Sequence, residues 1–296
     1  MKRNLLPLLI AITMLSVSHA AQTQPAPPST DIFVVDIVDR AKLKFGLPRN
    51  ITRREGYDNQ PEFIDGGRRL LFTSIREDGQ ADIYRYDFPG GAITRLISTS
   101  ESEYSPTLTP DGKHFSVIRV EADKSQRLWR FPLAGGAPEL ILKEIKPVGY
   151  HLWLDEHSLL LFILGRPNTL QIADATTQKA ELIASDAGRC FRWMPGHKLV
   201  SFVQKKSDQE SWINSLDIKT REIKPLIKTI QGSEDFAWLS DGSLLMGKGS
   251  KLYSWRAGEA EWREVGDFSA AGLKAITRLA MSPAGNQLAI VAEPFR

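Results

Sequence analysis

A short motif recurs six times along this chain, and this recurrence constrains the fold more than any other feature of the sequence. The copies are "QPEFIDGGRRLLF" (60–72), "SPTLTPDGKHFSVI" (105–118), "HLWLDEHSLLLF" (151–162), "FRWMPGHKLVSF" (191–202), "FAWLSDGSLLMG" (236–247) and "RLAMSPAGNQLAIV" (278–291). The equivalent apolar residues are taken as Phe63, Leu108, Trp153, Trp193, Trp238 and Ala280, which gives spacings of 45, 45, 40, 45 and 42 residues. A period of this length is typical of proteins built from one repeated supersecondary unit.

Each unit predicts four antiparallel strands. A short apolar strand is followed by a turn rich in Pro, Asp, Gly or His and by a second strand such as "RRLLFTS". Asp-Gly favours a tight hairpin because both residues tolerate positive φ angles. A polar loop, a third strand such as "ADIYRYDF" and a fourth such as "GGAITRLI" complete the unit. Four antiparallel strands per repeat predict the blade of a β-propeller.

The first and last units are incomplete in complementary ways. Residues 31–63 align with residues 82–108, which places Asp31 at the position of Asp82 and makes the first segment strands three and four of a unit. Residues 278–291 supply only strands one and two. Pairing the two segments would complete a sixth sheet and leave no open edge at the joint. Two separate β-sandwiches would not explain this complementarity. The prediction is an all-β, six-bladed propeller over residues 31–296, closed by a composite blade from both ends.

The N-terminal residues predict export. Lys2 and Arg3 precede an apolar run over residues 5–17, and Ser18-His19-Ala20 fits a cleavage site, so residues 1–20 are predicted to be a signal peptide. The run is shorter than the ~20 residues that a transmembrane helix needs. Residues 21–30, "AQTQPAPPST", form a Pro-rich leader. We expect a periplasmic protein of a Gram-negative bacterium that does not span the membrane.

Charge and motif content argue against several functional classes. The formal net charge of +3 falls to +1 when Lys2 and Arg3 are removed, so no basic surface for nucleic acid is expected. His114, His151, His157 and His197 do not form a metal-binding spacing, and no G-x-S-x-G nucleophile motif occurs. The segment "GSLLMGKGS" (242–250) lacks the Ser or Thr that follows the lysine of a phosphate loop. Cys190 is expected to be a small buried hydrophobe. We therefore expect no catalytic residues, no metal and no cofactor.

The candidate binding site is the mouth of the central channel, where the loops leading into each innermost strand are expected to meet. The predicted site residues are Tyr57, Asp58, Glu62, Tyr104, His151, Arg189, Arg192 and Asp235. On the innermost strands, one phase is shared by Glu62, Thr107, Leu152, Arg192, Ala237 and Leu279. A charge near the ring axis must be paired, hydrated or ligand-bound, so Glu62 and Arg192 indicate either an internal ion pair or a ligand site. Trp153, Trp193 and Trp238 are expected to pack between blades.

The units resemble the TolB-like propeller repeat, the WD40-like repeat of exported bacterial proteins. The pattern S-P-x-W-S-P-D-G-x-x-I-A-F, then I-Y, then G-G and a leucine, is matched best by "SPTLTPDGKHFSVI" with "GGAPELIL" and by "PEFIDGGRRLLF" with "DIYRYDFPGGAITRLI". The resemblance covers residues 31–296 and implies architecture more than function.

Three functions remain open from this resemblance. TolB carries an α/β domain ahead of its propeller, which is not recognised here, so a role in the Tol–Pal system does not carry over. The leading prediction is a monomeric, non-enzymatic module that binds an envelope protein or peptide. One alternative is a small-molecule-binding, lyase or hydrolase propeller with its site at the channel mouth, and another is an accessory subunit of a larger assembly.

Overall fold

The computed structural model describes residues 27–295, so the predicted signal peptide and residues 21–26 of the leader lie outside the described residues. The described part of the chain forms six antiparallel sheets. No helix within it is long and apolar enough to cross a bilayer.

Blades 1 to 5 each consist of four strands that are consecutive in the chain. Blade 1 contains β4 (Tyr57–Ile64), β5 (Arg69–Ile75), β6 (Ala81–Asp87) and β7 (Ala92–Arg95). Blade 2 contains β8 (Ser102–Leu108), β9 (His114–Val120), β10 (Gln126–Pro132) and β11 (Glu139–Leu140). Blade 3 contains β12 (Val148–Trp153), β13 (Ser158–Ile163), β14 (Thr169–Asp174) and β15 (Lys179–Ser185). Blade 4 contains β16 (Ala187–Trp193), β17 (Leu199–Ser207), β18 (Glu210–Asp217) and β19 (Ile223–Lys228). Blade 5 contains β20 (Phe236–Trp238), β21 (Leu244–Lys248), β22 (Lys251–Trp255) and β23 (Arg263–Asp267).

Blade 6 is built from both ends of the described chain. Its members are β24 (Leu273–Met281), β25 (Gln287–Pro294), β1 (Asp31–Asp39), β2 (Lys44–Phe45) and β3 (Arg49–Asn50). Strand β1 pairs antiparallel with β25, from Asp31 opposite Ala292 to Asp36 opposite Gln287. The predicted composite sheet, and with it the six-bladed propeller, is therefore confirmed.

Two aspartates show that the sequence alignment of the composite blade is correct. The Asp31 carboxylate accepts a hydrogen bond from the Asn50 side-chain amide at 2.7 Å, which ties strand three of blade 6 to its fourth strand. In blade 1, the Asp82 carboxylate lies 2.6 Å from the Arg95 guanidinium on strand four. Both carboxylates are buried. The same side chain therefore joins the same two strands in both blades.

The predicted register of the last repeat is wrong by one residue. Leu108 lies opposite Phe115 at the start of strand two, and Met281 lies opposite Leu288 in the same way. Met281, not Ala280, is therefore the equivalent of the earlier apolar residues, and the last spacing is 43 residues. Leu279 is fully buried in the core cluster shared with blade 5, which also contains Ala237, and Ala280 lines the central cavity in its place. The error arose because the apolar run "LAM" contains no aromatic residue to fix the alignment.

The faces of the blades pack on one another through apolar side chains, and two of the predicted tryptophans add a hydrogen bond. Trp153 donates from its indole nitrogen to Ser116 Oγ at 2.9 Å, and Trp238 donates to Ser201 Oγ at 2.7 Å. Each serine is on the second strand of the preceding blade. These contacts agree with the packing role predicted for the two residues.

Trp193 differs from the other two tryptophans because blade 3 offers it no hydroxyl. The position of Ser116 and Ser201 is occupied there by Leu160, opposite Leu152. The Trp193 indole nitrogen donates instead to the Trp153 carbonyl oxygen at 3.0 Å, and the side chain remains 37% exposed. Its predicted role as inter-blade packing is therefore only part of what it does.

Two valines on β1 should differ in how much their replacement by alanine lowers the free energy of unfolding. Val34 is fully buried and pairs with Ala289, whereas Val38 is 71% exposed. We expect Val34→Ala to lower the free energy of unfolding by about 2 kcal/mol, since it removes buried methyl groups and leaves a cavity. Val38→Ala is the matched control and should change it by less than about 0.5 kcal/mol. Urea unfolding measures both, and equal effects would contradict the buried position of β1.

Candidate functional site

The innermost strands surround a central cavity of about 370 Å³. All six blades contribute residues of their innermost strands, or of the segments next to them, to its wall. In order of blades 1 to 6, these residues are Gln60, Pro61 and Glu62; Ser105, Pro106 and Thr107; Tyr150, His151 and Leu152; Arg189, Phe191, Arg192, Trp193, Met194 and Pro195; Ala237 and Trp238; and Arg278, Ala280 and Met281. Of the predicted site residues, Glu62, His151, Arg189 and Arg192 line this cavity.

Arg278 is the centre of the polar contacts in the channel. Its Nε donates to Asn59 Oδ1 at 3.0 Å, and its Nη2 donates to the Tyr150 hydroxyl at 3.2 Å. Its Nη1 lies 3.6 Å from Asp235 Oδ2. The guanidinium of one side chain on blade 6 thereby joins blades 1, 3 and 5, and it is 8% exposed. Arg278 thus acts as a crossbar near the ring axis.

Sequence reasoning missed Arg278 because of the register error in the last repeat. With Met281 as the reference, the position three residues earlier holds Gln60, Ser105, Tyr150, Cys190, Asp235 and Arg278 in the six blades. This ring of residues is the layer in which the contacts of Arg278 lie. The signal was present in the sequence, but it depended on a correct alignment of a single residue.

Asp235 lies between two arginines. Its Oδ1 accepts a hydrogen bond from the Leu279 backbone amide at 2.8 Å and lies 3.9 Å from Arg192 Nη2. The Asp235 side chain is buried, whereas the Arg192 side chain is 36% exposed. The carboxylate beside Arg192 is therefore that of Asp235. An internal ion pair of Arg192 with Glu62, one of the two possibilities that the sequence left open, is not the arrangement observed.

Glu62 lies on the cavity wall with weak compensation for its charge. Its Oε1 accepts a long hydrogen bond of 3.4 Å from the Leu108 backbone amide. Burial raises the pKa of Glu62 to about 7, although this hydrogen bond and the field of Arg192 act in the opposite direction. The Glu62 carboxyl group therefore changes its charge near neutral pH.

Tyrosines and Arg189 meet at the end of the channel where the lead-in loops enter. Burial raises the pKa of Tyr57 to about 12, and the Tyr57 phenol lies within electrostatic reach of Tyr150, Tyr104, Arg189 and Arg278. Burial, the largest single influence, opposes ionisation of Tyr150, but Arg278, Arg189 and the hydrogen bonds from Arg278 and Gln60 together outweigh it and lower the Tyr150 pKa. Of the predicted residues, Arg189 acts on both Tyr57 and Tyr150, whereas Tyr104 packs against the apolar cluster between blades 2 and 3.

The polar layer divides the channel. A second cavity, of about 140 Å³, lies on the lead-in side and is also lined by Arg189 and Arg278, together with Asp235. The larger cavity extends the other way, to Met194 and Pro195 in the turn that follows β16. The half-exposed Trp193 lies at this turn side. Gln60, Asp235 and Arg278 of the polar layer are buried and occupy the lead-in side, which is called the closed end below, whereas the larger cavity extends to the exposed Trp193 at the opposite mouth.

Two predicted site residues have structural partners away from the channel axis. Asp58 is fully buried in blade 1, where its Oδ1 accepts a hydrogen bond from Ser74 Oγ at 2.5 Å and lies 3.4 Å from Arg54 Nη1. His151 borders the cavity, but its Nε2 is 2.6 Å from Ser116 Oγ, and burial lowers the His151 pKa to about 3. His151 is therefore neutral at physiological pH.

Cys190 occupies the blade 4 position of the polar ring. Its Sγ lies 3.4 Å from the Phe236 backbone nitrogen, which donates to it. The thiol is fully buried, and burial raises its pKa to about 12.

Among residues 27–295, no group of three or more His, Cys, Asp or Glu side chains converges in a way that could hold a metal ion.

The comparisons with known proteins support the architecture. No protein-family model matches the chain. Among solved structures, a candidate TolB from Agrobacterium tumefaciens has a TM-score of 0.71 at 14% identity, with 90% of this chain and 99% of that chain covered. TolB from Acinetobacter baumannii has a TM-score of 0.57 at 16% identity, with 78% and 65% covered. This chain has the fold of a TolB-type propeller.

Two further similarities are to an enzyme with a related fold and to a protein that matches only a short part of the sequence. An oligogalacturonate lyase in complex with manganese has a TM-score of 0.54 at 15% identity, with 83% of this chain and 80% of that chain covered. An uncharacterized protein of Agrobacterium fabrum is 27% identical over 93 residues. That match spans 31% of this chain and 29% of the relative's length. The fold is therefore shared by TolB structures and by an enzyme, and function has to be argued from the site.

The buried contacts of Arg278 predict that its replacement strongly lowers the free energy of unfolding. We expect Arg278→Gln to lower the free energy of unfolding by about 3 kcal/mol, because it leaves the buried Asp235 carboxylate without its closest cation. Arg130→Gln is the matched control, since Arg130 forms an exposed pair with Glu139, and it should cost less than about 1 kcal/mol. Urea unfolding measures both variants.

The double variant Arg278→Gln with Asp235→Asn separates lost attraction from an uncompensated charge. It should recover part of the loss, because the carboxylate that burial penalises is then absent. Single and double variants with the same stability would contradict this account of the layer.

Proposed function

We propose that this protein is an exported, non-catalytic binding module of the cell envelope, and that its central cavity takes up a segment of a protein or peptide partner. The observation that carries the proposal is the combination, in one cavity, of the partly exposed Arg192 with the half-exposed Trp193. Arginine and tryptophan are the side chains that most often dominate the energy of protein interfaces.

The size of the cavity limits what can enter it. Ligand pockets typically measure about 300–1,000 Å³, so a cavity of about 370 Å³ is at the small end of the range. It accommodates one or two residues of a partner and not a folded domain. The remaining contacts would be made on the rim around the turn-side mouth, where Met194 and Pro195 lie.

The proposal of export rests on residues 1–20, whose charged start, apolar run and Ser18-His19-Ala20 end fit a signal peptide. The presence of TolB structures among the similar folds is consistent with an envelope protein. We propose that the exported chain is a monomer and that it has no nucleic-acid partner.

Site-specific photo-crosslinking in living cells tests this function. With p-benzoylphenylalanine in place of Trp193, we expect an adduct with one envelope protein, because this side chain lies at the open mouth of the cavity. The same substitution at Leu182 is the control, since Leu182 is 60% exposed on the outermost strand of blade 3, far along the sheet from the channel. Adducts are isolated from the envelope fraction and identified by mass spectrometry.

Two outcomes of the crosslinking experiment would contradict the proposed function. Absence of an adduct at position 193, or the same adducts at positions 193 and 182, would refute binding through the cavity. Arg192→Gln in the crosslinking protein should reduce the yield at position 193 and leave any background at position 182 unchanged.

One observation favours a second function, catalysis in the same cavity. A carboxyl group whose pKa is about 7, as for Glu62, is suited to act as a general acid or base. The fold is also that of an oligogalacturonate lyase. His151, with a low pKa and a hydrogen bond to Ser116, is less suited to this role.

We expect the purified protein not to turn over oligogalacturonates, because the other titratable groups on the described cavity wall are held by protein partners: His151 Nε2 lies 2.6 Å from Ser116 Oγ, and the Tyr150 hydroxyl accepts a hydrogen bond from Arg278. Product formation is followed by ultraviolet absorbance and by reducing-end assay. Turnover that is lost in Glu62→Gln and kept in Glu139→Gln, an exposed control, would overturn the non-catalytic proposal.

A further inference from the structure

The cavity wall changes from polar to apolar along its length. At the closed end lie Arg278, Tyr150 and Gln60 of the polar layer. Toward the open mouth the wall is mostly apolar and includes Pro61, Pro106, Leu152, Trp193, Met194 and Met281. A ligand that fits both parts needs a polar or charged group at its inner end and an apolar group next to it.

Arg192 is the group in this cavity that can accept an anion. Arg278 already has three partners within 3.6 Å, in Asn59, Tyr150 and Asp235. Arg192 has the Phe191 carbonyl oxygen at 3.0 Å, the Leu279 carbonyl oxygen at 3.4 Å and a distant carboxylate, Asp235, at 3.9 Å. A guanidinium has five N–H donors in a planar fork that matches a carboxylate. The 36% exposed side chain of Arg192 therefore has donors to offer.

The charge of the surroundings favours a negative group. Two guanidiniums, of Arg192 and Arg278, share one buried carboxylate, that of Asp235. Arg189 at the closed end has its own neighbour in Glu234, at 3.8 Å. Glu62 is the remaining carboxyl group on the cavity wall, and it opposes an anion only when it is ionised. A ligand carboxylate would restore the balance of charge around Arg192.

The blind end of the cavity decides which kind of carboxylate fits best. A partner chain that enters at the turn-side mouth cannot pass the layer of Arg278 and Asp235, so it has to end inside or fold back within about 370 Å³. An internal acidic residue would require two chain segments in this space. A terminal residue requires one, and it carries its carboxylate next to its own side chain.

We propose that the cavity captures the free C-terminal carboxylate of a partner polypeptide, with the carboxylate at Arg192 and an apolar terminal side chain against Trp193 and Met194. The proposal rests on the proposed binding function and goes beyond it by naming the part of the partner that is recognised. A free amphipathic carboxylic acid shares this chemistry, and the length of the probe distinguishes the two sources.

The affinity for such a ligand depends on pH in a defined direction. Protonation of Glu62 as the pH falls through about 7 removes the negative charge that faces the ligand, while Arg192 and Arg278 remain charged and His151 remains neutral. Binding should therefore be tighter at pH 6 than at pH 8.

Calorimetric titration of the purified exported protein tests the proposal with N-acetyl-leucyl-phenylalanine and its C-terminal amide. We expect saturable binding of the acid and roughly tenfold weaker binding of the amide. Arg192→Gln should weaken binding of the acid by a similar factor and leave the amide unaffected. Arg192→Lys keeps the charge without the planar fork and should give an intermediate loss. Arg130→Gln is the control and should bind as the unaltered protein does.

Two further arms complete the experiment. The preference for pH 6 over pH 8 should be absent in Glu62→Gln. A hexapeptide with the same two terminal residues should bind more tightly than N-acetyl-phenylalanine, whereas equal affinity would assign the site to small acids and refute capture of a polypeptide end.

Several outcomes would overturn this proposal without touching the proposed function. Equal affinity for acid and amide, absence of saturable binding of the acid, or full affinity in a folded Arg192→Gln variant would each refute recognition of the terminal carboxylate. A specific crosslink from position 193 to an envelope protein would still stand, because it does not depend on which part of the partner enters the cavity.

Discussion

Backbone pairing between β1 and β25 is the constraint on which the rest of this structure depends. It joins Asp31 to Ala292, residues from opposite ends of the described chain, and so places the two halves of blade 6 in one sheet. Such distant pairing has a large loop-closure cost and is expected to form late in folding. Arg278 lies on β24, the innermost strand of the same sheet, and contacts Tyr150 and Asp235. Blade 6 therefore contributes both the joint between the two ends and the central arginine of the polar layer.

The polar layer combines structural and functional requirements. Burying the Asp235 carboxylate and the Arg278 guanidinium is costly unless each is well paired, and the contacts of Arg278 connect blade 6 to blades 1, 3 and 5. The same layer ends the larger cavity and leaves Arg192 partly exposed beside it. A channel blocked near one mouth can bind a ligand at the other mouth but cannot pass it through. This division gives the two faces of the propeller different chemical characters.

The sequence predicted the number of blades, the strands in each and the composite sheet, because repetition and turn residues are local signals that six copies reinforce. It did not predict the crossbar, since "LAM" offered two equivalent alignments and only the pairing of Met281 with Leu288 decides between them. The exposure of Trp193 also escaped prediction. It depends on Leu160 in another blade, where two equivalent positions hold serine, and such a contact between blades is not visible along the chain.

Cys190 illustrates what the interior of a propeller does to a reactive group. Thiolate is the form that attacks a disulfide, and a buried thiol with a pKa of about 12 hardly forms it at neutral pH. The side chain is also enclosed against Phe236 between two blades. Burial between two blades therefore keeps the chain's single cysteine from thiol–disulfide exchange with a second copy while the ring is intact.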